Sequence, residues 1–153
     1  MGSALFYHLT QSPAETLVPT IIDRALATGW RVAIKATARQ RLEWLDEKLW
    51  LGPEDGFLPH GISGGPHDAD QPVLLTLDDH FPNAAACLIA VDGAQVAPAV
   101  ALALDRVCIL FDGNDPAAVE AARGQWRDLT GAGVPAQYWS EASGRWEKKS
   151  EKG

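Results

Sequence analysis

The chain has 153 residues, and 13 Lys and Arg against 20 Asp and Glu leave a formal charge of −7. At about 100–200 residues per domain this length gives a single domain, and a chain of this size buries roughly 68–70% of its unfolded surface without help from disulfides or metals. An apolar content of 46% and a charged content of 22% exclude disorder, collagen and coiled coil for the chain as a whole. The acidic balance argues against a protein that coats nucleic acid, because such affinity comes from Lys and Arg displacing counterions from phosphates. A local basic site stays open.

The N-terminal residues lack the basic start and apolar run of a secretory signal, and no stretch reaches the apolar length of a membrane span. Cys87 and Cys108 lie in apolar runs, which reads as reduced core thiols. A soluble, cytoplasmic protein with no membrane association is the expectation.

Ala4–Leu9 reads as a first strand, and Ser12-Pro13 with Glu15 as the start of a helix running to Thr28. Pro19 falls inside that helix and calls for a kink or a delayed start. Gly29 closes it as a left-handed cap. Trp30–Ala36 is the second strand, and Thr37 caps a helix from Ala38 to Leu51 whose inward residues are Leu42, Trp44, Leu45 and Leu49. Phe57-Leu58-Pro59 reads as an edge strand, since proline cannot donate to an interior ladder.

His60 to Gln71 reads as loop, and the acidic and histidine residues there and at Asp78, Asp79 and His80 as solvated. Val73–Leu77 and Ala85–Val91 are strands, Gln95–Leu104 a short helix, and Arg106–Phe111 a buried strand. Asp115-Pro116 starts a helix that reaches Thr130 before Gly131. Gln137-Tyr138-Trp139 is a last strand, and from Ser143 the chain is polar and reads as a disordered tail. The alternation predicts one α/β domain over residues 1–142, with a mainly parallel, twisted sheet and helices on both faces.

Such a Rossmann-like sheet invites a nucleotide where a glycine-rich turn follows the first strand. Here that turn is Thr10-Gln11-Ser12-Pro13, without glycine, and the chain has no GxxxxGK[ST]. The histidine and acidic spacings match no metal-ligand pattern, and Ser63 lacks the strand-to-helix elbow of a serine hydrolase. No cofactor, metal or catalytic residue is expected. The competing reading is a degenerate Rossmann-like enzyme or nucleotide-binding protein.

Six tryptophans stand out against one methionine. Trp30 and Trp44 read as core anchors. Trp50, followed by Phe57 across an irregular turn, reads as a surface for a protein partner. Arg123, Trp126 and Arg127 fall at helical spacing on one face, where Arg can grip a carboxylate and the ring an apolar side chain. The plainer alternative pairs Arg127 with Glu120 or Asp128 and buries Trp126.

In order along the chain stand Phe6-Tyr7, Gly29-Trp30-Arg31-Val32, Leu45-Asp46-Glu47-Lys48-Leu49-Trp50, Phe57-Leu58-Pro59-His60, Pro72-Val73, Ala122-Arg123, Trp126, Gly133 and Tyr138-Trp139. This set resembles the chi subunit family of bacterial DNA polymerase III, and the LDxxLW and FLPH strings are its most specific parts. The form looks alphaproteobacterial. The resemblance implies a nucleotide-binding-type fold without nucleotide. It also implies a non-catalytic clamp-loader accessory role in DNA replication, touching DNA only indirectly. By resemblance, Trp50 and Phe57 meet the psi subunit or an equivalent partner. Arg123, with Trp126 and Arg127 beside it, meets the acidic C-terminal tail of single-stranded DNA-binding protein. Val119 stands where the family has a further lysine, which implies a weaker or differently built tail pocket.

Overall fold

The computed structural model describes residues 2–11, 13–50 and 60–152, the side chains of Glu15, Leu49 and Trp50 aside. Strand β1 (Ser3–Leu9) leads to α1 (Ala14–Thr28), β2 (Val32–Lys35) and α2 (Arg39–Trp50). Then come β3 (His60–Ile62), a 3-10 turn at Asp68–Asp70, β4 (Val73–Thr76) and β5 (Cys87–Ala90). The chain ends with α3 (Pro98–Ala103), β6 (Arg106–Asp112), α4 (Pro116–Gly131), β7 (Ala136–Ser140) and β8 (Glu147–Lys152). All eight strands join one sheet in the order β3-β4-β2-β5-β6-β1-β7-β8, parallel except for the β7–β8 pair.

The open parallel sheet is covered on both faces, as the alternation predicts. Leu9, Ile34, Ile89 and Leu110 pack with Val18 and Ile22 of α1 and Leu42 and Leu45 of α2. Phe6, Leu88, Val107 and Ile109 pack on the other face with Ala101 of α3 and Ala122 and Leu129 of α4. The central strands are apolar on both sides because both sides are buried. Cys87 and Cys108 are free thiols inside the first of these layers.

Helix α1 runs as one helix through Pro19. The lost backbone hydrogen bond, an effect of about 3 kcal/mol, is offset by the burial of Val18, Ile21, Ile22 and Ala25 around it. Gly29 ends the helix at φ 94° with its N–H on Ala25 and Leu26. Asp115 caps α4, its carboxylate accepting from the Ala117 amide at 3.0 Å.

Two regions differ from the sequence expectation. His60–Ile62 forms the edge strand β3 beside β4, where loop is expected, while 51–59, with the strand expected at Phe57-Leu58-Pro59, lies outside the described residues. His60 is buried rather than solvated, its Nε2 lying 3.2 Å from the Asp46 carboxylate. The polar segment Glu147–Lys152 pairs antiparallel with β7. An edge strand with one solvated face needs no apolar residues of its own, and its hydrogen bonds go to the backbone of β7. Among the described residues no helix is long and apolar enough to cross a membrane.

Candidate functional site

Helix α4 is fixed by its inner face. Gln125, buried between Ala122 and Leu129 in the helix, accepts from the Val96 amide at 3.1 Å and donates to the Ala94 carbonyl at 3.3 Å. That double bond sets the rotation of the helix and turns Arg123 and Arg127 outward, both exposed. Trp126 sits half-buried between helix and sheet, edge-on to Phe6 at 5.3 Å and to Tyr138 at 6.1 Å. Arg127 stands 3.8 Å from Glu120, but both side chains are about two-thirds exposed, so the pair is weak. Among the described residues Arg123 has no carboxylate within ion-pair distance.

The sheet completes what the sequence shows only in part. Tyr138 of β7 and His8 of β1 project to the α4 face, the phenol oxygen 2.6 Å from His8 Nδ1. Phe111 lies edge-on to His8 at 5.3 Å and 5.8 Å from Tyr138. Partial burial raises the Tyr138 pKa, and the charge of Arg123 partly opposes that rise. Arg123 therefore lies close enough to Tyr138 to act on it. The result is an exposed guanidinium beside a wall of Trp126, Tyr138, His8 and Phe111. Sequence reasoning finds the arginine and Trp126 from helical spacing. It misses His8 and Tyr138 as members, because 130 residues separate them. The period-2 alternation that puts Phe6 and His8 on one face is the signal that points there.

A cavity of about 760 Å³ lies at the carboxyl ends of β1, β5 and β6. Here α1 and α4 leave for opposite faces of the sheet, the place where doubly wound folds bind nucleotides. The amides of Thr10 and Gln11, which would cradle a phosphate, instead donate to Glu141 Oε1 at 3.0 and 2.8 Å. The first amides of α4 are met by Asp115, and Asp112 accepts from the Asn114 amide at 2.9 Å. Asp92, Asp112 and Asp115 line the mouth. This crevice is built to hold the chain's own carboxylates.

Trp50 ends α2, and both its side chain and Phe57 lie outside the described residues. On α2 itself Trp44 is half-buried, with Arg41 4.4 Å and Lys48 5.3 Å from its ring centre. The loop acids close turns: Asp68 accepts from Gly64 and Gly65, and Asp78 from the Thr76 hydroxyl and the His80 amide. The His80 amide is the main reason the Asp78 carboxyl lies below its usual range.

The fold and the site thus define a mostly parallel α/β domain, with an arginine-and-aromatic face on α4 and a phosphate-type loop filled by its own glutamate. The chain belongs to the DNA polymerase III chi subunit family: the family model described as DNA polymerase III chi subunit, HolC, matches residues 1–137. It is 25% identical over 91 residues to the probable DNA polymerase III subunit chi of Rickettsia prowazekii (strain Madrid E). That match covers 60% of this chain and 55% of the relative, so it spans just over half of the relative's length.

Proposed function

We propose that the chain is a non-catalytic, cytoplasmic replisome adaptor that links the DNA polymerase III clamp loader to the acidic C-terminal tail of single-stranded DNA-binding protein. Membership of the chi family supports the replication role. The observation that carries the tail reading is Arg123, unpaired among the described residues and set beside Trp126 and Tyr138. The guanidinium meets a carboxylate and the rings meet an apolar end residue. Arg127 adds a second, exposed charge. Trp50 and Phe57 form the other contact, with psi or an equivalent clamp-loader subunit. Engaging both partners at once raises the effective concentration of the polymerase on coated single strands.

A fluorescence titration with an acidic, Phe-terminated peptide tests this. Binding weakens as salt rises, because exposed charges are screened. Arg123→Ala reduces affinity at least about fivefold, the scale of one charge-assisted contact, with the thermal midpoint unchanged. Undiminished binding by Arg123→Ala removes the tail site from α4.

A further inference from the structure

The face of the sheet opposite α4 carries a groove of about 630 Å³, a volume in the range of sites that enclose a ligand. Its floor is Leu5 and Tyr7 of β1, and Trp139 of β7 and Trp146 form its aromatic wall, with α1 on the other side. Arg24 of α1 and Arg106 of β6 stand on its rim, both exposed. Arg106 lies 5.3 Å from the Trp30 ring centre, and neither guanidinium has a carboxylate partner among the described residues. Among the described residues no lining side chain is a carboxylate, in a chain of net charge −7, and Glu151, beside the lining residue Gln137, is engaged by the Gln137 side-chain amide at 2.9 Å. The Tyr7 hydroxyl points to no hydrogen-bond acceptor among the described residues, while both Arg24 and Arg106 act on it electrostatically. Two unpaired cations and a spare donor around an apolar floor are complementary to a carboxylate carried next to an apolar side chain.

We propose that this groove is a second peptide-docking site, distinct from α4, for an acidic segment of a partner protein that places an apolar or aromatic side chain on Tyr7 and Trp139 and a carboxylate between Arg24 and Arg106. The geometry favours a peptide over single-stranded nucleic acid. Trp146 stands at 90° on Tyr7 at 5.5 Å, so this is an edge-walled pocket for a side chain rather than a run of open ring faces for stacked bases. Asp23 and Asp105 each immediately precede one of the two arginines in sequence, so each positive charge has an acidic neighbour along the chain. Two such isolated positive points match one or two carboxylates and neutralise too few charges to hold a continuous polyphosphate.

The proposal does not depend on the tail site, and one experiment separates the two. The full chain is labelled with ¹⁵N, and the indole N–H signals of its six tryptophans are followed during titration with a capped peptide of alternating Asp and Phe. The expected result is a saturable shift of the Trp139 and Trp146 signals. Arg24→Ala and Arg106→Ala each weaken it about fivefold or more, as loss of one charge-assisted contact should, and Arg123→Ala leaves it unchanged. Arg24 lies on an exposed helix surface, so that variant keeps the fold. Unmoved Trp139 and Trp146 signals overturn the proposal, as does an equal shift with a Lys and Phe peptide. A shift produced by oligothymidylate in place of the peptide overturns it in favour of nucleic acid. Movement of Trp126 alone leaves the α4 site standing and sinks this one.

Discussion

Glu141 accepts hydrogen bonds from the backbone amides of Thr10 and Gln11 at 3.0 and 2.8 Å, and its side chain is buried. The carboxylate reaches from the end of β7 into the loop after β1, where a nucleotide-binding relative of this fold would hold phosphate. The chain supplies its own anion. Glu141→Ala leaves two inward donors without their acceptor, a loss of about 2 kcal/mol or a fall of roughly 4–8 °C in Tm for a chain of this length. Inorganic phosphate then raises the Tm of Glu141→Ala and not that of the parent. A thermal scan of both proteins with and without phosphate reads this directly, and an equal response by both would show that Glu141 does not fill an anion site.

Gly113 controls the wall of the α4 site. A Cβ there would fall 2.0 Å from Cδ2 of His8, whose ring is held between Phe111 and Tyr138. The glycine serves here by its size. Gly113→Ala overpacks the cluster and costs about 1–3 kcal/mol. It also displaces His8 from the Tyr138 hydroxyl. Urea unfolding gives the first effect. A loss of affinity for the acidic, Phe-terminated peptide without any change at Arg123 gives the second, and normal affinity would show that His8 and Tyr138 lie outside the contact.

The legible parts of this fold are those whose signal is local. The buried strands read as apolar runs, such as Val73-Leu74-Leu75, because a parallel sheet covered on both faces needs apolar residues on both. The caps at Gly29 and Asp115 read from single residues, because each solves a backbone problem of its own helix end. The pieces that escape the sequence depend on partners far along the chain. His60 looks like a loop residue until Asp46 is placed beside it. Glu147–Lys152 looks like a solvated tail until β7 offers its edge. The site divides the same way: Arg123, Trp126 and Arg127 share one helix, whereas His8 and Tyr138 meet across the β1–β7 pairing. Glu141 gives no sequence signal at all, because its role is defined by two amides 130 and 131 residues away.

Burial holds the Tyr7 phenol neutral well above the ordinary tyrosine range, and the hydrogen bond with Cys87, with burial behind it, keeps Cys108 a thiol. Both pKa values are raised in the folded state. Their contribution is complete below the unfolded values, 9.0 for the thiol and 10.0 for the phenol, and is lost as pH rises beyond them. Above those values the unfolded chain releases protons that the folded chain keeps, so stability falls on the alkaline side. Tyr7→Phe removes the phenol's share, and its stability declines less steeply above about pH 10. Urea midpoints measured from pH 8 to 11 for parent and variant give the comparison, and parallel curves would refute the assignment to Tyr7.

The polar strand β8 is held by its backbone pairing with β7 and by ion pairs of Lys148 with Glu151 and Lys149 with Glu147, on the solvent side of the sheet edge. Pairs this open to solvent are screened and hold the strand only weakly. Its apolar contribution comes from Trp146, just before the strand, which packs on Tyr7. If residues 1–142 form the folding unit, a chain ending at Ala142 keeps Glu141 in the β1 loop and unfolds in one transition. The loss should stay within about 2–3 kcal/mol, the scale of one large side chain returned to water. The same truncation bares the hydrogen-bonding edge of β7, and an unpaired edge strand recruits another chain. Concentration-dependent self-association of the truncated protein, seen by light scattering and absent from the full chain, is the expected signature. A truncated protein that cannot fold would make β8 part of the unit, and one that stays monomeric at high concentration would show that β8 does not serve to close that edge.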